Sequence, residues 1–323
     1  MADKTGIEWT DATWNPVTGC AKVSQGCKNC YALRDWPRMS ANPKTVYYGR
    51  AFTDVQCHPD RLGQPIRWKR PRRVFVNSMS DLFHEAVPDD FIDRVFTVMA
   101  IANEHTFQVL TKRPQRMHAY LNRLQERASS ISDLAVHVLK GSYWSDLDGI
   151  TDLVQDRIEN GPLANVWMGV SVEDQKTADE RIPFLVDSPA AIRWISAEPL
   201  LAAVDLAPYM QSLDWVVVGG ESGTKARPMH PQWATLIQQQ CQTANVPFLF
   251  KQWGQWAPTS AVPGGDLGGD MRRDLIRIVK PHGENDGHFR AGDVMMRKVG
   301  KKVSGRELLG VQFDGYPEKI IIT

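Results

Sequence analysis

The stretch IRWISAEPLLAAVDLAPYMQSLDWVVVGGE (192–221) contains two short apolar runs, each of which ends in a glutamate. Neither run alternates apolar with polar residues, and such continuous runs are typical of strands that are buried on both faces. Runs of the same kind occur at VFVNS (74–78), TFQVLT (106–111), VWMGVS (166–171) and PFLFKQW (247–253). A further strand before Cys20 brings the count to about seven.

Helical patterns separate several of these runs. One helix is expected to start with Asp89 or Asp90 as its capping residue, and others start near residues 115 and 233. Most steps between strands have the length of one βα unit, and one longer step predicts a helical insertion at about 130–160. No strand is followed by a Gly-x-Gly-x-x-Gly turn. The sequence therefore predicts an α/β fold, a partial (β/α)6 TIM-like barrel of parallel strands, rather than a doubly wound sheet.

The composition of the chain changes after Trp256. Residues 257–293 are rich in glycine, proline and aspartate and are expected to form a loop. Residues 294–323 contain the basic segment MRKVGKKVSGRELLG and a short β-like ending. We expect a barrel at 1–256 and a C-terminal extension at 257–323, which packs on the barrel or covers its mouth.

Bulk properties exclude several classes of protein. The chain has 323 residues and a formal net charge of +1, so its total charge does not predict a nucleic-acid partner. No apolar run is long enough to cross a membrane, and the polar start MADKTGIEWTD is unlike a signal peptide. Five cysteines in a chain of this length are not a disulfide framework. We therefore expect a cytoplasmic protein without a membrane partner.

Three of the cysteines are close together, in the segment TGCAKVSQGCKNCYA (18–32), with the spacing C-x6-C-x2-C. Gly19 and Gly26 are expected to let this loop turn tightly. Three thiolates in one loop can converge on one centre, and thiolates select zinc or iron–sulfur clusters. Cys20, Cys27 and Cys30 are therefore the predicted metal ligands.

The residues alone leave the identity of the metal open. A [4Fe–4S] cluster held by three cysteines keeps one iron open for a substrate or cofactor. A structural zinc site needs four ligands, and Cys57 or His58 is the nearest candidate for the fourth. In the third alternative, the three are reduced structural cysteines. Cys241 lies on the apolar face of a predicted helix and is expected in the core.

Polar or reactive residues follow the predicted strands. In parallel barrels the active site lies at this edge, although strands also end in polar loops for purely structural reasons. Glu198 and Glu221 are the strongest candidates for ligand binding, and their structural alternative is an ion pair with Arg193 or Lys251. The full set is Asn77, Ser78, Asp81, Thr111, Lys112, Ser171, Glu173, Ser196, Glu198, Gly219, Gly220, Glu221, Lys251 and Gln252.

The order of these elements resembles the radical S-adenosylmethionine enzymes. Those enzymes carry three cysteines in the loop after the first strand of a partial (β/α)6 barrel, and they hold a [4Fe–4S] cluster whose open iron chelates S-adenosylmethionine. The resemblance covers residues 7–253. It implies an enzyme that cleaves this cofactor to a 5′-deoxyadenosyl radical with an external electron donor, and it assigns the cluster to Cys20, Cys27 and Cys30. Tyr31 is the aromatic residue often found beside the last ligand.

Two features depart from that pattern. The usual first spacing is C-x3-C, and the family's Gly-Gly-Glu segment normally ends the second strand. Here the second strand ends in NSMSD, so Asn77, Ser78 and Asp81 stand where that segment is expected to bind the cofactor. Further candidates for cofactor binding are Ser171, Glu198, Gly219, Gly220 and Glu221.

The whole chain also resembles a phage and bacterial family of unknown function that has this three-cysteine motif. The shared stretches are WNPVTGC with CKNCYA, VFVNSMSDLFH, LTKRP, GVSVE, SAEPLL, GGESG and FKQWG. In outline the chain is similar to DNA-lesion radical enzymes such as spore photoproduct lyase, which implies a nucleic-acid or nucleotide substrate. The alternative from another class is a zinc-stapled nucleic-acid-binding phage protein without catalysis.

Other features are candidates for contact with such a substrate. The basic stretch RWKRPRR (67–73) precedes the second strand and is expected either to bind phosphates or to be a solvated loop. His84 is a candidate proton donor or a structural loop histidine. Tryptophans near predicted loops are expected mostly in the core or barrel rim, with a minority touching ligand; they are Trp9, Trp14, Trp36, Trp253 and Trp256.

Overall fold

A computed structural model describes residues 5–138, 147–261, 276–281 and 290–318. Seven parallel strands form one curled sheet, a half-barrel, in the order of the chain. The strands are β1 (Ala12–Trp14), β2 (Arg73–Val76), β3 (Thr106–Thr111), β4 (Val166–Ser171), β5 (Ile192–Ala197), β6 (Trp215–Gly219) and β7 (Phe248–Gln252). The predicted partial barrel of parallel strands is confirmed.

Helices connect most of the strands on the outside of the sheet. They are α1 (Tyr31–Ser40), α2 (Asp89–Ile101), α3 (Pro114–Leu121), α4 (Ala128–Val138), α5 (Leu147–Glu159), α6 (Gln175–Val186) and α7 (Pro231–Ala244). A 3-10 helix at Ala207–Ser212 connects β5 to β6. The predicted insertion is present as α4 and α5, and its residues 139–146 lie outside the described part of the chain.

One predicted helix start is wrong in its detail. Pro88 is the N-cap residue of α2, and no side chain caps this helix. Asp89 lies in the first turn instead, where its Oδ1 is 2.8 Å from Nη2 of Arg116. The carboxylate therefore links α2 to α3 rather than closing the helix end.

Successive side chains along a strand pack alternately into two apolar clusters, as expected for a sheet that is buried on both faces. On β2, Val74 and Val76 pack against the outer helices, and Phe75 between them belongs to a cluster inside the half-barrel. That inner cluster consists of Trp9, Phe75, Trp167, Ile192, Trp194, Trp215, Val217 and Leu249. Gly169 makes room for it, because a Cβ at this position would lie 2.5 Å from the Trp194 ring.

The C-terminal extension forms a small antiparallel sheet. Its strands are β8 (Trp256–Pro258), β9 (Ile276–Val279) and β10 (Val294–Lys298), with β10 in the middle, and α8 (Lys301–Ser304) follows. The expectation that 257–293 is a loop is wrong at the end of β8 and at β9, while 262–275 and 282–289 lie outside the described residues. The described residues also contain two short antiparallel strand pairs, Val17–Thr18 with Gln56–Cys57 and Glu307–Leu308 with Val311–Gln312.

The end of the extension covers the last strand of the sheet. The Phe250 amide donates to the Phe313 carbonyl at 3.0 Å, and the Gly315 amide donates to the Phe248 carbonyl at 2.9 Å. These bonds pair an edge that would otherwise expose free backbone groups. Tyr316 then stacks on Trp215, with ring centroids 5.3 Å apart. The extension therefore packs on the barrel.

Among the described residues, none of the helices has both the length and the apolar character needed to cross a bilayer.

Candidate active site

A cavity of about 380 Å³ opens at the carboxyl ends of the strands. Its lining includes ten of the eleven predicted site residues: Cys20, Cys27, Cys30, Asn77, Ser78, Asp81, Ser171, Glu198, Gly220 and Glu221. Gly219 is not in the lining. A Cβ on Gly219 would lie 3.3 Å from Cδ of Glu198, so the missing side chain leaves space for that glutamate.

The cysteine loop (residues 19–30) follows β1 and returns the chain to α1. Gly19 has a φ of +91°, and a Cβ there would lie 2.4 Å from the Asp54 carbonyl oxygen. Only glycine fits this position. Cys27 ends a 3-10 turn, and Cys30 is the N-cap residue of α1. The loop thus brings all three cysteines to one cavity.

Gly26 has a different role from the predicted one. Its φ is not in the left-handed region, so the loop does not need glycine there for a turn. A Cβ on Gly26 would instead lie 2.3 Å from Oε1 of Glu173. The glycine lets the cysteine loop lie directly on that carboxylate.

The three thiols are free and half-buried. Burial raises the pKa of Cys20 to about 11; the nearby Asp81 carboxylate adds to this, and Arg113 opposes it. In the described part of the chain, no three or more histidine, cysteine, aspartate or glutamate side chains are arranged to hold a metal ion. The cysteine sulfurs that hold a cubane cluster lie farther apart than those that hold a single metal ion. The choice between a cluster and zinc therefore rests on which ligands the cavity offers.

That donor set fits a [4Fe–4S] cluster better than structural zinc. Among the described residues that line the cavity, there is no fourth cysteine and no histidine. Cys57 and His58, the predicted candidates for a fourth ligand, lie outside the lining, and Nε2 of His58 is 2.7 Å from the Thr18 hydroxyl. Three thiols without a fourth ligand suit a cluster with one open iron, whereas structural zinc needs four ligands.

Arg113 holds the start of the cysteine loop. Its Nη1 is 3.1 Å from Oδ2 of Asp81 and 3.7 Å from Sγ of Cys20, and its Nη2 donates to the Ala21 carbonyl at 3.4 Å. Asp81 also accepts from the Thr111 hydroxyl at 2.7 Å, which fixes the carboxylate to the end of β3. Asp81 therefore acts on the loop through Arg113.

Glu173 holds the middle of the loop from the end of β4. The carboxylate is fully buried, and its Oε1 lies 2.9 Å from Nζ of Lys112 and accepts from the Ser24 hydroxyl at 3.0 Å. Oε2 lies 3.2 Å from Nη1 of Arg181. Burial favours protonation, but the two cations hold the pKa of Glu173 below its ordinary value. A paired carboxylate thus anchors the segment between Cys20 and Cys27.

Glu221 holds the end of the loop, and this is its main role in the structure. Arg227 binds both carboxylate oxygens, at 2.6 and 3.0 Å, and Asn29 donates to Oε2 at 2.9 Å. Arg227 also donates to the Gln25 carbonyl at 3.0 Å. Glu221 is therefore ion-paired, but its predicted partners, Arg193 and Lys251, are wrong, and the partner is Arg227.

Glu198 forms the other predicted ion pair. Nζ of Lys251 lies 2.7 and 2.8 Å from its two carboxylate oxygens. Both side chains are mostly buried and line the cavity. The pair presents polar atoms of both signs to the cavity and no net charge.

The sheet wall of the cavity (Asn77, Ser171, Ser196 and Gln252) contrasts with the cysteine loop. These four residues are buried and line the cavity. Asn77 has a φ of +60°, and its Oδ1 accepts from the Val17 amide at 3.2 Å, while its Nδ2 has no hydrogen-bond partner. Oε1 of Gln252 is also buried and unpaired. Asn77 and Gln252 thus line the cavity and each carry a polar atom without a protein partner.

Ser78 connects the sheet wall with α1. Its carbonyl accepts a hydrogen bond from the Tyr31 hydroxyl, and its own hydroxyl donates to Oδ1 of Asn15 at 3.2 Å. Tyr31 lines the cavity beside the last cysteine.

Several other predicted candidates lie away from the cavity. The basic stretch 67–73 precedes the amino end of β2, at the opposite edge of the sheet, and none of it lines the cavity. The loop alternative holds for His84, whose Nδ1 accepts from the Ala86 amide at 3.1 Å. Cys241 is buried in α7, as expected. Of the five tryptophans singled out, Trp9 alone is in the lining.

Sequence reasoning missed the residues that complete the anchors. None of Asn29, Arg113 and Arg227 is among the residues that the sequence predicts for the site. Arg113 belongs to the shared stretch LTKRP, and Asn29 lies between two of the cysteines, so both had a signal in position. The sequence gives no indication of Arg227, because its pairing with Glu221 is visible only in the folded structure.

A family model described as a protein of unknown function (DUF5131) matches residues 4–317. No curated protein matches the chain. Among solved structures, spore photoproduct lyase complexed with dinucleoside spore photoproduct is similar at 10% identity and a TM-score of 0.36, covering 88% of this chain and 67% of that chain. A cysteine-to-serine mutant of spore photoproduct lyase is similar at 10% identity and a TM-score of 0.35, covering 89% and 68%.

Proposed function

We propose that this chain, which belongs to the DUF5131 family of proteins of unknown function, is an iron–sulfur enzyme that cleaves S-adenosylmethionine and acts on a nucleotide or nucleic acid. One observation carries the proposal. Three free thiols, in the loop after the first strand of a parallel half-barrel, line a single cavity whose described lining offers no fourth thiol or imidazole. Active sites of parallel barrels lie at this edge.

Cys20, Cys27 and Cys30 would hold the cluster. When bound, a [4Fe–4S] cluster supplies one electron for the reductive cleavage of S-adenosylmethionine to methionine and a 5′-deoxyadenosyl radical. An external reductant must return that electron after each cleavage. The reducing cytoplasm is the compartment that suits such a site.

The protein's own residues would hold the cysteines and the ligand in place. Arg113, Glu173 and Glu221 contact the loop at three points and would limit its movement when the cluster binds. Polar residues at the strand ends, Asn77, Ser78, Asp81, Ser171, Glu198, Gly219, Gly220 and Glu221, remain our candidates for holding the cofactor. Among them, Asp81 and Glu221 would act through the cysteine loop.

The rim of the cavity supports a substrate that carries phosphate. Lys22, Arg34 and Lys301 line the cavity and are exposed. Arg34 lies 3.0 Å from Asp35 and Lys301 lies 2.9 Å from Glu8, and ion pairs at such exposed positions are weak. Lysine and arginine at the mouth of a cavity attract phosphate groups. We further propose that residues 1–256 form the catalytic half-barrel and that the extension at 257–323 adds Lys301 to its rim.

The test is whether the protein cleaves the cofactor. Protein purified without oxygen and supplied with reductant and S-adenosylmethionine is expected to release 5′-deoxyadenosine, measured by chromatography and mass spectrometry. Cys20→Ala, Cys27→Ala and Cys30→Ala should each abolish the release. Cys241→Ala, in the core of α7, is the matched control and should retain it. An iron-loaded protein that forms no 5′-deoxyadenosine would contradict the proposal.

A further inference from the structure

We infer that the sheet wall of the cavity is a nucleobase-binding site, in which Gln252 recognises the base of the substrate while its phosphate stays at the rim. The inference rests on the proposed function only in assigning this base to the substrate rather than to the cofactor. The binding site itself follows from the described residues.

The first step is the direction of the side chains. Side chains two residues apart on a strand point to the same face. Trp194 belongs to the inner cluster, so Ser196 lies above it on the same face of β5. Asn77 follows β2 with a φ of +60° and lines the same cavity. Ser171 pairs with Ser196 in the ladder between β4 and β5. A polar layer therefore lies directly on the aromatic interior of the half-barrel.

Gln252 joins this layer because of an irregularity in β7. Val217 pairs with Leu249, and both point inward, but Gly219 pairs with Gln252 after a register shift. The extra residue is Lys251. Such a bulge reverses the facing of the residue that follows it. Without the bulge, Gln252 would point away from the cavity.

The second step is the set of unpaired polar atoms. Asn77 and Gln252 are each 3% exposed, and Trp9 is 2% exposed. Nδ2 of Asn77, Nε1 of Trp9 and Oε1 of Gln252 have no hydrogen-bond partner in the described structure. Buried polar atoms are normally paired, and leaving them unpaired is costly. Three residues that line the cavity thus carry two donors and one acceptor without protein partners.

The third step is the absence of free charge beside these atoms. In the described lining, Lys112 is paired with Glu173 at 2.9 Å, and Lys251 with Glu198 at 2.7 Å. A phosphate or carboxylate would find no unpaired cation at this depth. A neutral group that both donates and accepts hydrogen bonds is the better match.

Nucleobases have this chemistry. Their edges carry hydrogen-bond donors and acceptors that asparagine and glutamine amides recognise in pairs, and serine hydroxyls recognise either kind. Their faces pack on aromatic side chains, and Trp9, Phe75 and Leu110 supply an apolar floor. A base in this position must be unpaired, so a single strand, a flipped-out nucleotide or a free nucleotide fits and an intact duplex does not.

The experiment measures binding rather than turnover. Calorimetric titration of the full-length, anaerobically purified protein uses the four nucleoside 5′-monophosphates as probes, with and without saturating S-adenosylmethionine. We expect at least one monophosphate to bind, and Gln252→Leu to weaken its binding about tenfold, the effect of one lost hydrogen bond. Binding of S-adenosylmethionine should be unchanged in that variant.

Gln64→Leu is the matched control, because Oε1 of Gln64 is also buried and unpaired but lies outside the cavity lining. It should leave nucleotide binding unchanged. The inference is overturned if no monophosphate binds, if both variants weaken binding equally, or if Gln252→Leu weakens S-adenosylmethionine instead. Failure to form 5′-deoxyadenosine would contradict the proposed function and leave these binding results intact.

Discussion

The two sides of the cavity are built differently. The charged groups that contact the cysteine loop are in ion pairs. Arg113 pairs with Asp81, Glu173 with Lys112 and Arg181, and Glu221 with Arg227. On the sheet wall, Asn77 and Gln252 keep polar atoms without partners. This difference indicates that polar residues at the strand ends have two roles in one site. Ion-paired groups fix the loop, and uncharged amides with an unpaired atom are left for a ligand.

The largest effect is expected from Glu173, which is fully buried between two cations. Glu173→Gln should lower the free energy of unfolding by about 3–5 kcal/mol, because it leaves Lys112 and Arg181 without a counter-charge. Denaturant unfolding followed by circular dichroism measures this. The control is Glu180→Gln, which removes an exposed carboxylate 3.8 Å from Lys176 and should have no measurable effect. Equal stabilities of the two variants would refute the anchoring role.

A smaller loss is expected from Glu221. Glu221→Gln weakens the charge-assisted bonds to Arg227 and Asn29 and should cost about 1.5–3 kcal/mol. Because these bonds hold the loop, the variant should also retain less iron after gel filtration than the unmodified protein. Glu307→Gln, at an exposed position, is the control for both measurements. Full iron retention in Glu221→Gln would show that the cysteine loop does not depend on this anchor.

The contact between Gly26 and Glu173 gives a third test of the loop side. Gly26→Ala places a Cβ where Oε1 of Glu173 lies, and the expected cost is about 1–3 kcal/mol. Gly63→Ala is matched, since its Cβ would meet nothing closer than 3.9 Å and its φ is not in the left-handed region. Thermal unfolding compares the two. A Gly26→Ala protein as stable as Gly63→Ala would mean that the loop shifts freely.

The smallest effect on stability is expected on the sheet wall. Ser196→Ala removes a hydroxyl that faces the cavity, and the free energy of unfolding should change by less than about 1 kcal/mol. The same variant should bind nucleoside monophosphates more weakly in the titration described above. A loss of stability as large as that of Glu221→Gln would show that Ser196 supports the fold and not the ligand.

Sequence patterns were sufficient for the fold because each strand is a continuous apolar run. IRWISA and WVVVG are buried on both faces. In WVVVG, Val216 packs on the outer helices and Trp215 packs inside the half-barrel. The pattern was less informative for β9 at Ile276–Val279. This strand is only partly buried and lies in the small sheet of the extension, so it lacks the apolar signal of the main strands.

For the site, position was predictable and role was not. Eleven residues are predicted to bind the cluster or the cofactor, and ten of them line the cavity. The ion pair of Glu198 with Lys251 was among the expected alternatives and is present. The partner of Glu221 was not predictable, because Arg227 lies outside the shared stretches. Gln252 faces the cavity only because of the bulge in β7, which no single run of sequence reveals.

The central claim is that three thiolates hold a cluster, and metal analysis of the protein purified without oxygen tests it most directly. Iron, acid-labile sulfide and zinc are measured per chain, together with the electron paramagnetic resonance spectrum after reduction. The predicted result is about four iron and four sulfide per chain, lost in Cys20→Ala, Cys27→Ala and Cys30→Ala. A colourless protein that holds about one zinc per chain through the same three cysteines would contradict the account.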